Sequence, residues 1–186
     1  KETEGRMKKE KTLQEVLAQR NVITDGAFGT YYAEKYHTRE MPELANTEHP
    51  ERVKEIYREY IEAGAGLIRT NTFAANTVTM QKSFAQVERT IAEGIRLAKE
   101  TVREAAGEKE PVFIAGDIGP IPVTGELSAE EIEKEYERIL QCFIENGIRI
   151  FDFETFSDLE PLLPAIEKAK NKQELFVMAS FCVNQF

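Results

Sequence analysis

Four short apolar runs of the sequence each end in polar residues. They are VITDGAFGT (residues 22–30), LIRTNTF (67–73), VFIAGDIGP (112–120) and IFDFETF (150–156). In parallel α/β folds, catalytic and binding residues lie at the carboxyl ends of the strands. We therefore expect the polar side chains at the ends of these runs to form one site.

Asp25 ends the first run and is followed by a tight turn that begins at Gly26 and closes at Gly29. Glycines let the backbone N–H groups of such a turn come close to whatever Asp25 faces. An anionic group, such as the carboxylate of a ligand, suits this turn.

The composition is that of a soluble globular unit, with 186 residues, 41% hydrophobic and 31% charged. The net charge of −9 and the lack of a basic stripe disfavour nucleic acid and anionic membranes as partners. No apolar run approaches the roughly 18 residues of a membrane span, and no signal peptide is recognisable. Cys142 and Cys182 are too few for a disulfide framework. We therefore expect a cytoplasmic protein.

Strands and helices alternate along the chain. The apolar patterns predict strands at residues 22–24, 67–71, 112–116, 148–153 and 175–181. They also predict six helices, at residues 12–19, from 50 to the glycines at 64 and 66, and at 74–82, 87–106, 128–145 and 159–170. Residues 31–49 read as a long loop with one helical turn. The alternation predicts a parallel sheet, because parallel neighbours need crossover helices.

Two parallel architectures compete. An open doubly wound sheet usually carries GxGxxG after its first strand, where this chain has DGAFGT. Polar endings on four strands instead favour a closed, TIM-type (β/α)8 barrel. Because such barrels need about 250 residues, we expect the chain to cover roughly the first five β/α units. Residues 1–6, which precede Met7, are interpreted as a native tail or added sequence outside the fold.

Five strings in register carry a resemblance to a known family. They are DGAFGT (25–30), PELAN (42–46), TNTFAAN (70–76), GDIGP (116–120) and ETFSD (154–158). Over residues 12–186 the chain resembles the homocysteine S-methyltransferase domain found at the amino end of cobalamin-dependent methionine synthases. The resemblance implies that residues 7–186 are the amino-terminal portion of a homocysteine-binding (β/α)8 barrel. The whole protein would transfer a methyl group to the homocysteine thiolate and form methionine.

The same resemblance implies a zinc ion that lowers the pKa of the homocysteine thiol. In the family three cysteines hold this zinc, and their positions lie beyond this chain. We therefore expect no metal ligand and no catalytic residue within the chain, and no activity from the chain alone. Cys142 and Cys182 are interpreted as structural, His37 as a loop surface residue and His49 as a residue just before a helix.

The resemblance also assigns substrate-binding residues. Asp25 and Glu154 would hold the homocysteine ammonium, while Gly26 and Ala27 would offer backbone N–H groups to its carboxylate. Supporting roles fall to residues that brace the loops or wall the pocket, namely Asn71, Thr72, Asp117, Phe28 and Phe73.

The motifs do not select the methyl donor. A corrinoid protein, a folate-linked domain, betaine and S-methylmethionine all suit them, so cobalamin or folate would act through other domains. A second interpretation is a non-catalytic half-barrel that binds a small amino acid or serves as an assembly module. Because an arc of five strands leaves open edges, we also expect the chain to self-associate.

Strand periodicity predicts one ion pair. Side chains two apart share a face, so Arg69 lies one layer below Asn71, and Asp152 one layer below Glu154. A buried charge needs a partner, so we expect Arg69 and Asp152 to pair beneath the substrate site.

Overall fold

The structure is a computed structural model, and it describes residues 11–105, 111–125, 127–171 and 174–182. A parallel sheet of four strands lies at its centre. The strands are β1 (Leu67–Arg69), β2 (Phe113–Ile118), β3 (Ile150–Phe156) and β4 (Phe176–Phe181), adjacent in chain order. The predicted α/β class with a parallel sheet is confirmed. The predicted tail, residues 1–6, lies outside the described residues.

The first of the five predicted strands, residues 22–24, is not a full strand. Only Thr24 forms a bridge, with Leu67 at the start of β1. The next N–H, that of Asp25, donates to Leu67 O at 3.0 Å. The chain then turns into a helix, so the ladder does not continue.

Helices separate the strands along the chain. Those in the described residues are α1 (Leu13–Leu17), α2 (Phe28–Tyr36), α3 (Ala45–Glu48), α4 (Pro50–Glu62), α5 (Thr77–Met80), α6 (Phe84–Ala105), α7 (Ala129–Glu145) and α8 (Leu163–Lys170), with 3-10 turns at Pro42–Leu44 and Glu160–Leu162. None of these helices is long and apolar enough to cross a membrane.

Two sequence signals explain the longest helices. α6 buries Val87 and Ile91 completely, at the four-residue spacing of an apolar helix face. α7 begins with a capping box, in which Ser128 and Glu131 satisfy each other's backbone N–H groups, at the residue where the helix 128–145 is predicted to start. The predicted last residue of α6, Ala106, lies outside the described residues.

The prediction of a long loop over residues 31–49 is wrong. The stretch contains most of α2, the turn Pro42–Leu44 and all of α3. Contacts with α4 stabilise α2: the rings of Tyr31 and Tyr60 lie 5.8 Å apart edge to face, and the Tyr31 hydroxyl donates to Glu59 at 2.6 Å. These partners are distant in sequence, so the local pattern does not reveal them.

The two faces of the sheet have different surroundings. Ile68 and Phe153 are fully buried in the apolar clusters that the helices form with the sheet. Because side chains alternate along a strand, Arg69 and Asp152 project from the opposite face. Asp117 is the register partner of Asp152 on the neighbouring strand. The polar residues near the strand ends are therefore neighbours on one face.

Candidate functional site

Arg69 lies at the centre of a cluster of carboxylates. Its Nε is 2.9 Å from Asp25 Oδ1, and its Nη1 is 2.8 Å from Glu154 Oε1. The same Nη1 is 3.7 Å from Asp152 Oδ2. The predicted pairing of Arg69 with Asp152 is confirmed, but the two shorter contacts were not predicted. The guanidinium of Arg69 thus joins the end of β1 to β3 and to the turn that contains Asp25.

The turn after Thr24 is fixed by backbone bonds as well as by charge. The Arg69 N–H donates to Asp25 Oδ2 at 2.8 Å, so Asp25 accepts both a main-chain and a side-chain bond from one residue. Arg69 Nη2 donates to the carbonyl of Gly26 at 3.1 Å. A Cβ on Gly26 would lie 2.9 Å from the Tyr60 hydroxyl, so glycine fits this position where larger residues would clash.

Burial governs the charges of this cluster. It raises the pKa of Asp25 to about 6, although the bonds from Arg69 oppose the rise. Burial also raises the pKa of Asp152, and the positive charge of Arg69 again opposes this rise. Asp25, Asp152 and Glu154 outnumber the single guanidinium, so the cluster suits a cationic group.

Asp117 lies beside this cluster and is 6% exposed. Its N–H donates to Thr70 Oγ1 at 3.0 Å, and its carbonyl accepts from Thr72 Oγ1 at 2.8 Å. Within the described residues, Asp117 Oδ1 has no hydrogen-bond partner. Burial, and next the nearby Glu154, raise the pKa of Asp117 well above its usual range.

Asn71 links the end of β1 to the segment that follows α2. Its side-chain Nδ2 donates to Pro42 O at 2.7 Å and to Asn46 Oδ1 at 2.9 Å. Its N–H donates to the hydroxyl of Tyr57 at 2.7 Å. Asn71 is therefore held inside a buried network, and its amide is turned toward the protein.

Sequence reasoning assigned no role to Glu43 or Asn46, which the structure buries beside the site. Glu43 Oε1 accepts from the N–H of Ala74 at 2.8 Å, and Asn46 Nδ2 donates to Asn71 O at 2.8 Å. Both belong to the string PELAN. The signal was present in that string, but the incorrect loop assignment hid the burial of these side chains.

A cavity of about 560 Å³ opens over these residues. Its walls include most of the predicted site residues: Ala27, Phe28, Asn71, Thr72, Phe73, Asp117 and Glu154. Asp25 and Gly26 are not among the lining residues. The structure thus brings most of the predicted residues together at the cavity, while Asp25 is bonded to Arg69 and neither of these two residues lines it.

The amino end of α2 faces the same cavity through Ala27, Phe28 and Gly29. No side chain caps this end. The first N–H groups of a helix have no partner within the helix and carry a partial positive charge, so they bind anions. One wall of the cavity therefore suits a carboxylate, while the Glu154 side suits a cation.

No group of His, Cys, Asp and Glu side chains in the described part of the chain has the arrangement of a metal site. Cys142 is buried in α7, and burial raises the pKa of its thiol to about 11, which disfavours the thiolate that a metal needs. Cys182 is exposed. The described residues therefore do not fit a zinc site, and we derive no step through zinc from them.

A model of the homocysteine S-methyltransferase family matches residues 22–185. Among similar proteins, the chain is 28% identical over 166 residues to a methionine synthase of Mycobacterium leprae (strain TN), and 28% identical over 167 residues to betaine–homocysteine S-methyltransferase 1 of Danio rerio. These alignments cover 83% and 87% of the chain. They cover 14% and 41% of the two relatives, so the chain spans less than half of either.

Solved structures share the fold. The metallated form of the homocysteine methyltransferase MmuM from Escherichia coli aligns with a TM-score of 0.74 and 16% identity, over 93% of this chain and 67% of that one. Its oxidized form aligns with a TM-score of 0.76 and 19% identity, over 93% and 66%. With nearly all of the described residues inside the family match, the chain belongs to the homocysteine S-methyltransferase family.

Proposed function

We propose that this chain is the homocysteine-binding part of a zinc-dependent methyltransferase that forms methionine. It would supply the first five β/α units of a (β/α)8 barrel. Family membership supports the reaction class. The observation that carries the proposal is a single cavity with the Glu154 carboxylate on one wall and the uncapped amino end of α2 on another. An α-amino acid presents one ammonium and one carboxylate to such a pair of walls.

Each end of the substrate has a proposed partner. Glu154 and Asp25 bind the ammonium; Asp25 can do so while bonded to Arg69, because each carboxylate oxygen has two lone pairs. Gly26, Ala27 and the first turn of α2 donate backbone N–H groups to the substrate carboxylate. Phe28 and Phe73 wall the space between these ends. The thiol is left free to point toward a methyl donor.

In the proposed enzyme, the residues that activate the thiol and those that bind the methyl donor lie outside this chain. Zinc would be held by cysteines outside this chain. The donor could reach the thiol from a corrinoid or folate-binding domain, or as a small methylated compound such as betaine. The part proposed for this chain is to bind homocysteine and to orient its sulfur.

The test compares two variants of the full-length protein by calorimetric titration with L-homocysteine. Glu154→Gln removes a charge partner of a desolvated ammonium and should weaken binding by about 2 to 5 kcal/mol. Asn71→Ala removes only a bracing amide and should cost nearer 1 kcal/mol. Glu160→Gln is the matched control: Glu160 is exposed and begins the 3-10 turn that follows β3, so this variant should bind homocysteine as wild type does. Equal dissociation constants for wild type and Glu154→Gln would overturn the assignment.

A further inference from the structure

Resting on the proposed function, we infer that Asp117 is a further ligand of the substrate ammonium and makes the site select thiols that carry an α-amino group. Three observations on this side chain point the same way: it is buried, it lines the cavity with Glu154, and one of its oxygens has no hydrogen-bond partner among the described residues.

The backbone of Asp117 is fixed. Thr70 Oγ1 accepts from its N–H at 3.0 Å, Thr72 Oγ1 donates to its carbonyl at 2.8 Å, and the two threonine hydroxyls lie 2.6 Å apart. Both threonines belong to the segment after β1, so the bonds tie β2 to that segment. These bonds hold the main chain of Asp117 in place, and its carboxylate extends from this fixed position in the cavity wall.

Arg69, the cation whose charge opposes the burial-driven rise in the pKa of Asp117, is already engaged elsewhere. The guanidinium of Arg69 bonds to Asp25 and Glu154 and approaches Asp152, and no hydrogen bond joins it to Asp117 in the described structure. A buried oxygen without a hydrogen-bond partner destabilises the folded protein, so such atoms are uncommon and call for an explanation.

A substrate ammonium supplies what this oxygen lacks. An ammonium has three N–H donors, and both oxygens of Asp25 already accept from Arg69. Asp117, Glu154 and Glu43 line the cavity and retain free acceptor positions. Of these, Asp117 and Glu154 lie on the neighbouring strands β2 and β3, so one ammonium can contact both. The raised pKa of Asp117 agrees with this role, since a cation arriving beside it displaces a proton. A thiol without an amino group would leave Asp117 unsatisfied.

The experiment uses the full-length protein and two probes, L-homocysteine and its des-amino analogue 4-mercaptobutanoate. Both carry the same thiol and carboxylate, so thiol chemistry cancels in the comparison. Asp117→Asn should raise the dissociation constant of L-homocysteine by about tenfold or more and change that of 4-mercaptobutanoate less than about threefold. If Asp117→Asn fails to fold, Asp117→Ser replaces the carboxylate by a smaller side chain, and the same changes in the two dissociation constants are expected.

Asp152→Asn is the matched control. It removes the same charge from the register partner of Asp117, on a residue that contacts Arg69 but does not line the cavity. If Asp152→Asn weakens homocysteine binding as much as Asp117→Asn does, the weakening comes from the loss of negative charge near the cavity and not from a direct contact, and the inference is overturned. It is also overturned if Asp117→Asn weakens both probes equally or neither. A wild-type protein that binds neither probe would instead reject the proposed function itself.

Discussion

At the scale of single residues, the charge of Arg69 explains most of the site geometry. A guanidinium has five N–H donors in a fixed plane, which allows it to serve several carboxylates at once. Here it serves Asp25, Glu154 and, at a longer distance, Asp152. Strand alternation was enough to predict the pair with Asp152. The bond to Asp25 could not be predicted, because it depends on a bridge between distant segments.

Arg69→Met should destabilise the protein by about 3 to 5 kcal/mol, because it leaves several partly buried carboxylates without their cation. The measurement is urea unfolding of the full-length protein at neutral pH. Arg96→Met is the matched control: Arg96 pairs with Glu93 and Glu100 on the surface of α6, where such pairs are worth about 1 kcal/mol or less. Equal losses of unfolding free energy in the two variants would contradict the structural role of Arg69.

At the scale of elements, helices with local signals were predicted well. The capping boxes at Thr12 and Ser128 and the proline at residue 50 each mark a helix start in the structure. α2 was missed because Gly26 and Gly29 suggested a turn, although Gly29 lies inside the helix. Its stability comes from packing on α4, which no local pattern encodes.

The end of β3 also differs from its prediction, and the difference bears on the site. The strand was expected to end at Phe153, but it continues to Phe156 with a shift in register against β4. Thr155 takes a φ of +58°, and its N–H donates to Ser180 Oγ at 2.9 Å. Glu154 therefore lies within a bulge, a feature that redirects side chains at functional sites. Because a β-branched residue rarely adopts positive φ, this bulge could not be predicted from the residue types.

Thr155→Gly should stabilise the protein by about 1 kcal/mol, because glycine adopts positive φ without the cost that a β-branched residue bears. It should also weaken homocysteine binding, since the adjacent Glu154 would be held less firmly. Thermal unfolding and calorimetric titration measure the two effects. Thr155→Ala keeps a Cβ and should fall between wild type and Thr155→Gly in stability. A glycine variant less stable than the alanine variant would show that the backbone at Thr155 is not strained.

At the scale of the whole molecule, the open edge of the sheet is the main unsatisfied feature. β4 pairs with β3 on one side, and no strand lies on its other side in the described part of the chain. Residues 179–181 of β4 are exposed, including the large side chain of Phe181 at 56%. Unpaired strand edges with apolar side chains are templates for pairing with another chain.

The 186-residue polypeptide expressed as printed should therefore self-associate through β4. The N–H of Phe176 donates to Arg149 O, so by alternation the N–H of Ala179 points away from β3. Ala179→Pro removes this outward donor without removing a bond to β3, and it should shift the assembly toward monomer. Size-exclusion chromatography with light scattering over a range of concentrations measures the mass. A wild-type polypeptide that stays monomeric at every concentration would contradict edge pairing, as would an assembly that Ala179→Pro leaves unchanged.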